Sequence, residues 1–176
     1  MSLFILFNLI CINGFNYNPK INNWLDLPSK FKLEARNWFI KKAENKGIPW
    51  NNFKNQYISI SDELTLIKDL SSNSYIYYPP YYKKSFHGYN DGNLNWEAAF
   101  EGVAATLSMS CDYWKNIDPK KAHSWLRSNY STNIKKYYHD LNKTSNSLDV
   151  LDLGCSVGIG TEFLYKNLKP KSLTGL

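Results

Sequence analysis

Residues 149–161 read Asp-Val-Leu-Asp-Leu-Gly-Cys-Ser-Val-Gly-Ile-Gly-Thr, an apolar run that ends on a carboxylate and turns through glycines. Such a corner brings backbone closer to a ligand than a Cβ allows, and glycine reaches the required positive φ without strain. Upstream, Leu148, Val150, Leu151 and Leu153 form a short apolar run, the pattern of a strand buried on both faces. Downstream, Thr161, Leu164, Tyr165 and Leu168 fall at i, i+3, i+4 and i+7, one face of a helix that Pro170 ends. A second strand is predicted from Ser172. The C-terminal 30 residues therefore read as β-loop-α-β, a unit suited to binding a nucleotide-like molecule at its first turn.

The residue types decide among the nucleotide corners. A Walker-type loop needs Gly-Lys-Ser/Thr at the helix start, and none is present. A dinucleotide fingerprint needs glycine at the first, third and sixth positions, but Ser156 and Ile159 occupy the last two, which argues against a dinucleotide oxidoreductase. What remains is Asp152-x-Gly154-Cys155-x-x-Gly158-x-x-Thr161. This resembles motif I of the class I S-adenosylmethionine-dependent methyltransferases, with Ser156 in place of the middle glycine. A second segment, residues 87–101, begins His-Gly-Tyr-Asn-Asp-Gly-Asn and follows the Tyr-Pro-Pro-Tyr-Tyr of residues 78–82. It looks like the segment that a subgroup from photosynthetic lineages joins to a Gly-Cys-Ser-Val-Gly motif I through a helical spacer. The resemblance spans roughly residues 30 to 176.

The resemblance implies the cofactor S-adenosyl-L-methionine, methyl transfer to an unidentified small-molecule acceptor, and a Rossmann-like sheet. It implies that the turn at Gly154, Cys155, Ser156 and Gly158, with Thr161, cradles the methionine part, and that Asp152 holds its amino group. It also implies that Asn93 lies in the cover over the cofactor beside Trp96, and that His87 or Tyr89 acts as base or positions the acceptor. The acid that holds the ribose falls one position past Leu176, so the sheet is expected to be incomplete. The alternative is a catalytically inactive, methyltransferase-like binding or regulatory protein that pairs its open sheet edge with another chain. Serving as a small buried filler suits Cys155 better than acting as a nucleophile, since no His is fixed beside it in sequence.

Composition narrows the partners. The net charge is +6, yet 19 of 21 basic residues are lysine, scattered along a chain that also holds 21 asparagines. Arginine, the better reader of bases and phosphates, occurs only at Arg36 and Arg127, so no nucleic-acid partner is expected. Cys11, Cys111 and Cys155 are far apart, and His87, His123 and His139 make no ligand pair, so no metal site is expected. The apolar run from Leu3 to Ile12 is too short to span a bilayer, and no stable membrane insertion follows from it. It matches the core of a signal or plastid-type leader, and without such a leader the chain is expected in the cytoplasm.

The elements that must position the corner follow in order: a leader over residues 1–28, a helical N-terminal or lid region over 29–146, and the start of the cofactor domain over 147–176. The fold class is α/β, a mostly helical region followed by the first β-α-β unit of a Rossmann-like sheet. A helix is predicted from Pro28-Ser29 to about Asn45, with Phe31, Ala35, Phe39 and Ala43 inward, and another from Ser61 to Leu70. The tyrosine- and proline-rich stretch 75–82 reads as extended and packed. Asn93 is the expected cap of a long helix with Trp96, Phe100, Ala104, Leu107 and Cys111 inward. Asp118-Pro119 starts the next, with Ala122, Trp125 and Leu126 inward, and Ser131 is expected to cap a separate spacer helix.

Overall fold

The structure is a computed structural model and describes residues 29–85, 88–92, 94–141 and 144–176. The leader expected over residues 1–28 lies outside them. The architecture is mixed α/β: mostly helical, with one small parallel sheet. Helices α1 (Ser29–Glu44), α2 (Trp50–Ile58), α3 (Ser61–Ser71), α4 (Trp96–Tyr113) and α5 (Pro119–Asp140) precede strand β1 (Asp149–Asp152), helix α6 (Ile159–Leu168) and strand β2 (Ser172–Gly175). The chain divides into two compact units. One holds residues 29–41 and 72–95, the other residues 42–71 and 96–176.

In the first unit, α1 and the segment around Gly88 come together. The Arg36 guanidinium carbon stands 5.1 Å from the centre of the Tyr89 ring. A Cβ on Gly88 would stand 3.1 Å from both the Arg36 Cβ and the Lys32 carbonyl oxygen. The stretch 75–82 departs from the packed reading. Tyr75 is 94% exposed and Tyr77 also faces outward, while Pro80–Lys83 form a single 3-10 turn. The prolines keep a regular α-helix out of this stretch, and its tyrosines lie mostly at the surface.

In the second unit the core is Ala43, Ile48, Trp50, Phe100, Ala104, Leu107, Cys111, Ala122 and Leu168. Helix α4 packs on α2 and α5, and α6 packs on α5 and β2. Three differences from the sequence reading have clear physical reasons. Helix α2 escapes it because Asn51, Asn52, Asn55 and Gln56 dilute its apolar stripe, leaving Trp50 as its one fully buried residue. Helix α5 runs unbroken through Ser131, whose hydroxyl turns back to donate to the Arg127 carbonyl at 3.2 Å instead of capping a new helix. Trp125 lies at the edge of α5, half out of the core, where it meets Trp114 edge-on and Lys121 from above. Asp118 caps α5 as expected, accepting from the Lys121 amide at 2.9 Å.

The two strands are parallel, in the register Asp149–Ser172, Val150–Leu173, Leu151–Thr174 and Asp152–Gly175. The Ser172 hydroxyl latches their start, donating to Asp149 Oδ1 at 2.6 Å. That bond first, and then Lys171, hold the Asp149 carboxyl below its ordinary value. The expectation of a strand buried on both faces is corrected: Leu151 and Leu153 are mostly exposed. Two strands with one helix cover too little of the sheet to hide an all-apolar run.

The glycine turn between the first strand and helix

The turn is built by alternation of backbone handedness. Gly154 (φ 75°), Ser156 (φ 54°) and Gly158 (φ 78°) all take left-handed conformations, and Gly158 caps α6. Serine at the middle position thus keeps the course that a glycine would take, at a cost of about 1 kcal/mol. A Cβ built on Gly154 or Gly158 meets nothing within 4 Å, so open space lies over both. The other glycines of the corner face protein. A Cβ on Gly175 would stand 2.9 Å from the Cys155 sulfur, and one on Gly160 would stand 3.2 Å from an Arg127 guanidinium nitrogen.

Hydrogen bonds fix the strand side of the turn. The Leu176 carbonyl accepts from the amides of Gly154 (2.7 Å) and Cys155 (3.1 Å), and the Leu176 amide donates to the Asp152 carbonyl (3.0 Å). Those two turn amides are therefore committed to the chain after β2. The amides that remain for an external acceptor belong to Ser156, Val157 and the first turn of α6. Asp152 and Thr161, nine residues apart, meet: the threonine hydroxyl donates to Asp152 Oδ2 at 2.6 Å. This fixes the carboxylate at the C-terminal end of β1, beside the turn.

Of the expected site residues, Asp152, Gly154, Cys155, Ser156, Gly158 and Thr161 gather at this one corner. Cys155 is half-buried rather than fully buried, with its sulfur against Gly175. Tyr89 belongs to the other unit, where its ring carries Arg36. His87 and Asn93 lie outside the described residues. Trp96 opens α4, partly exposed, and stacks on Phe100 at 5.4 Å.

Two residues on α5 join the corner unanticipated. Arg127 Nε donates to His123 Nε2 at 3.1 Å, and the same guanidinium lies against Gly160 in the first turn of α6. His123 also packs edge-on against Phe163 of α6. Burial, and then the Arg127 charge, hold His123 below the ordinary imidazole value, which suits a ring whose Nε2 accepts a hydrogen bond. The signal was present in the sequence: one of only two arginines stands four residues after a histidine, one turn along the same helix face.

Among the described residues, no group of three His, Cys, Asp or Glu side chains is placed to hold a metal ion. None of the described helices is long and apolar enough to cross a membrane. The chain matches no family model, no curated protein and no solved structure.

Proposed function

We propose that this corner binds S-adenosylmethionine and that the protein serves methyl transfer to a small-molecule acceptor, the corner being the first β-α-β unit of a Rossmann-like sheet. The observation that carries the reading is the open space over Gly154 and Gly158 beside a carboxylate held in place by Thr161. A cofactor with a cationic amino group, a carboxylate and a sulfonium on one short chain suits that combination. Asp152 would take the amino group. Arg127, at the positive end of α6, would take the carboxylate. The bound cofactor supplies an electrophilic methyl group. The chain's own contribution is to position the reactants and exclude water, which needs no fixed catalytic triad.

A calorimetric titration with S-adenosylhomocysteine tests the reading directly. Saturable binding that is lost in Asp152→Ala and Gly158→Val supports it. Binding of NAD without S-adenosylhomocysteine would sink it.

The exposed Leu151, Leu153 and Leu176 favour a second reading, in which the chain is an inactive binding protein that pairs its small sheet with another chain. Under that reading S-adenosylhomocysteine does not bind, and Leu153→Lys abolishes self-association or partner capture in size-exclusion chromatography.

A further inference from the structure

Helix α4 carries a glycine, Gly102, in its second turn, between the buried Glu101 and the half-buried Val103. Glycine in a helix interior is a poor choice on backbone entropy alone, and alanine would serve the helix better. The neighbour across the gap supplies the reason. A Cβ on Gly102 would stand 2.8 Å from Val157 Cγ2, 3.7 Å from Val157 Cγ1 and 3.8 Å from Val157 Cβ. Val157 is the residue of the turn between Ser156 and Gly158, the two that adopt left-handed backbone. Its side chain is β-branched and stiff, so a methyl group on Gly102 cannot be absorbed by a swinging chain end. Something must shift, and the turn that carries Val157, itself 44% exposed, is freer to do so than α4, which packs on α2 and α5.

We infer that Gly102 is a positioning residue for the cofactor turn: α4 forms a wall on which Val157 seats, and that seat sets where Gly154 and Gly158 present their open faces. The inference rests on the cofactor reading for its functional consequence, but not for its structural one. Two other contacts meet the corner from different elements, Cys155 against Gly175 of β2 and Arg127 of α5 against Gly160. The α4 contact is the one that reaches the turn from some fifty residues upstream. A shift of the turn moves every group it presents to a ligand, so it is expected to weaken binding several-fold.

The test compares Gly102→Ala, Val157→Ala and the double variant by amide chemical shifts and by S-adenosylhomocysteine titration. Gly102→Ala is expected to move the amide resonances of residues 155–161 and to weaken binding several-fold. Its thermal midpoint sums alanine's gain for the helix and the cost of the contact with Val157, so the local amide shifts and their reversal in the double variant carry the test. Removing the valine methyl groups as well should return both shifts and affinity to those of Val157→Ala alone. Val157→Ala opens the same contact without touching α4, and should speed hydrogen exchange of the Gly158 amide, which donates to the Cys155 carbonyl at 3.0 Å, even if Gly102→Ala does not fold. Unchanged turn resonances in Gly102→Ala, or a double variant no closer to Val157→Ala than the single, overturns the inference. If the wild-type chain fails to bind S-adenosylhomocysteine, the cofactor reading falls while the amide shifts still decide the role of Gly102.

Discussion

Replacing Thr161 by valine removes one oxygen from the corner and almost nothing else. The two side chains have nearly the same shape, both are β-branched, and their helix propensities are similar. What is lost is the 2.6 Å donation to Asp152 Oδ2. A hydrogen bond to a charged group contributes about 1.5–3 kcal/mol when well buried. Both partners here are only half-buried, so water recovers part of the loss and about 1–1.5 kcal/mol is expected. That corresponds to a roughly five- to tenfold shift in the unfolding equilibrium, read as a lower urea midpoint with an unchanged slope. A double-mutant cycle with Asp152→Ala isolates the pair and should return a coupling of about 1 kcal/mol. If Asp152 holds the cofactor's amino group, the loosened carboxylate should also weaken S-adenosylhomocysteine binding several-fold, with Thr161→Ser recovering most of it. Additivity of the two single variants within about 0.3–0.5 kcal/mol would refute the claim that this bond organises the corner.

Gly158 separates conformation from room. Gly158→Ala should cost about 1–2 kcal/mol through its φ alone, and Gly158→Asn less, because asparagine tolerates the left-handed region. Both should nonetheless impair S-adenosylhomocysteine binding, measured by calorimetry, since either side chain enters the open space. His123 sets a pH dependence with a definite sign. Its folded-state value lies below the ordinary 6.5, so the unfolded chain takes up the proton first as pH falls. The stability it contributes is whole above about pH 6.5 and is lost below it, as urea midpoints between about pH 8 and about pH 5 should show. His123→Gln should flatten that slope. Lys54 bridges Glu97 at 2.6 Å and the fully buried Glu101 at 3.5 Å. Lys54→Met should therefore cost about 1–2 kcal/mol in thermal or urea unfolding, whereas Glu97→Gln, at an exposed partner, should cost less than about 0.5 kcal/mol.

Local chemistry explains what the sequence disclosed. The corner was legible because its signals are short-range: a carboxylate, three small residues and a helical stripe lie within the seventeen positions from Asp152 to Leu168. Asp118-Pro119 was legible for the same reason, a cap and an N1 proline being a two-residue device. The unbroken course of α5 was not, because Ser131 has the same chemistry whether it caps a helix or bonds back to Arg127 within one. Only the packing against α4 and α6 decides. The walls around the turn were illegible in a different way. Gly102 reads as a flaw in a good helix until Val157 is seen opposite it, and Arg127 reads as one scattered cation until Gly160 is seen beneath it.

The corner owes its order to these close contacts rather than to burial in a large sheet. Its strand pair is pinned at one end by Ser172 on Asp149, and at the other by Leu176 bonding to Asp152, Gly154 and Cys155. Its helix is tied to the first strand by Thr161 and to α5 by Arg127 and His123. Meanwhile Leu151 and Leu153, the residues a wider sheet would cover, stand in solvent. Turn geometry and sheet coverage are thus separable properties of this chain. Substitutions at Gly102, Gly158 or Thr161 are expected to act on the shape of the turn, while substitutions at the exposed Leu151 or Leu153 are expected to leave that shape alone. A conformation held by hydrogen bonds and by glycines that face rigid neighbours does not need the full apolar burial of its strands in order to persist, and this is why so small a sheet can present so defined a turn.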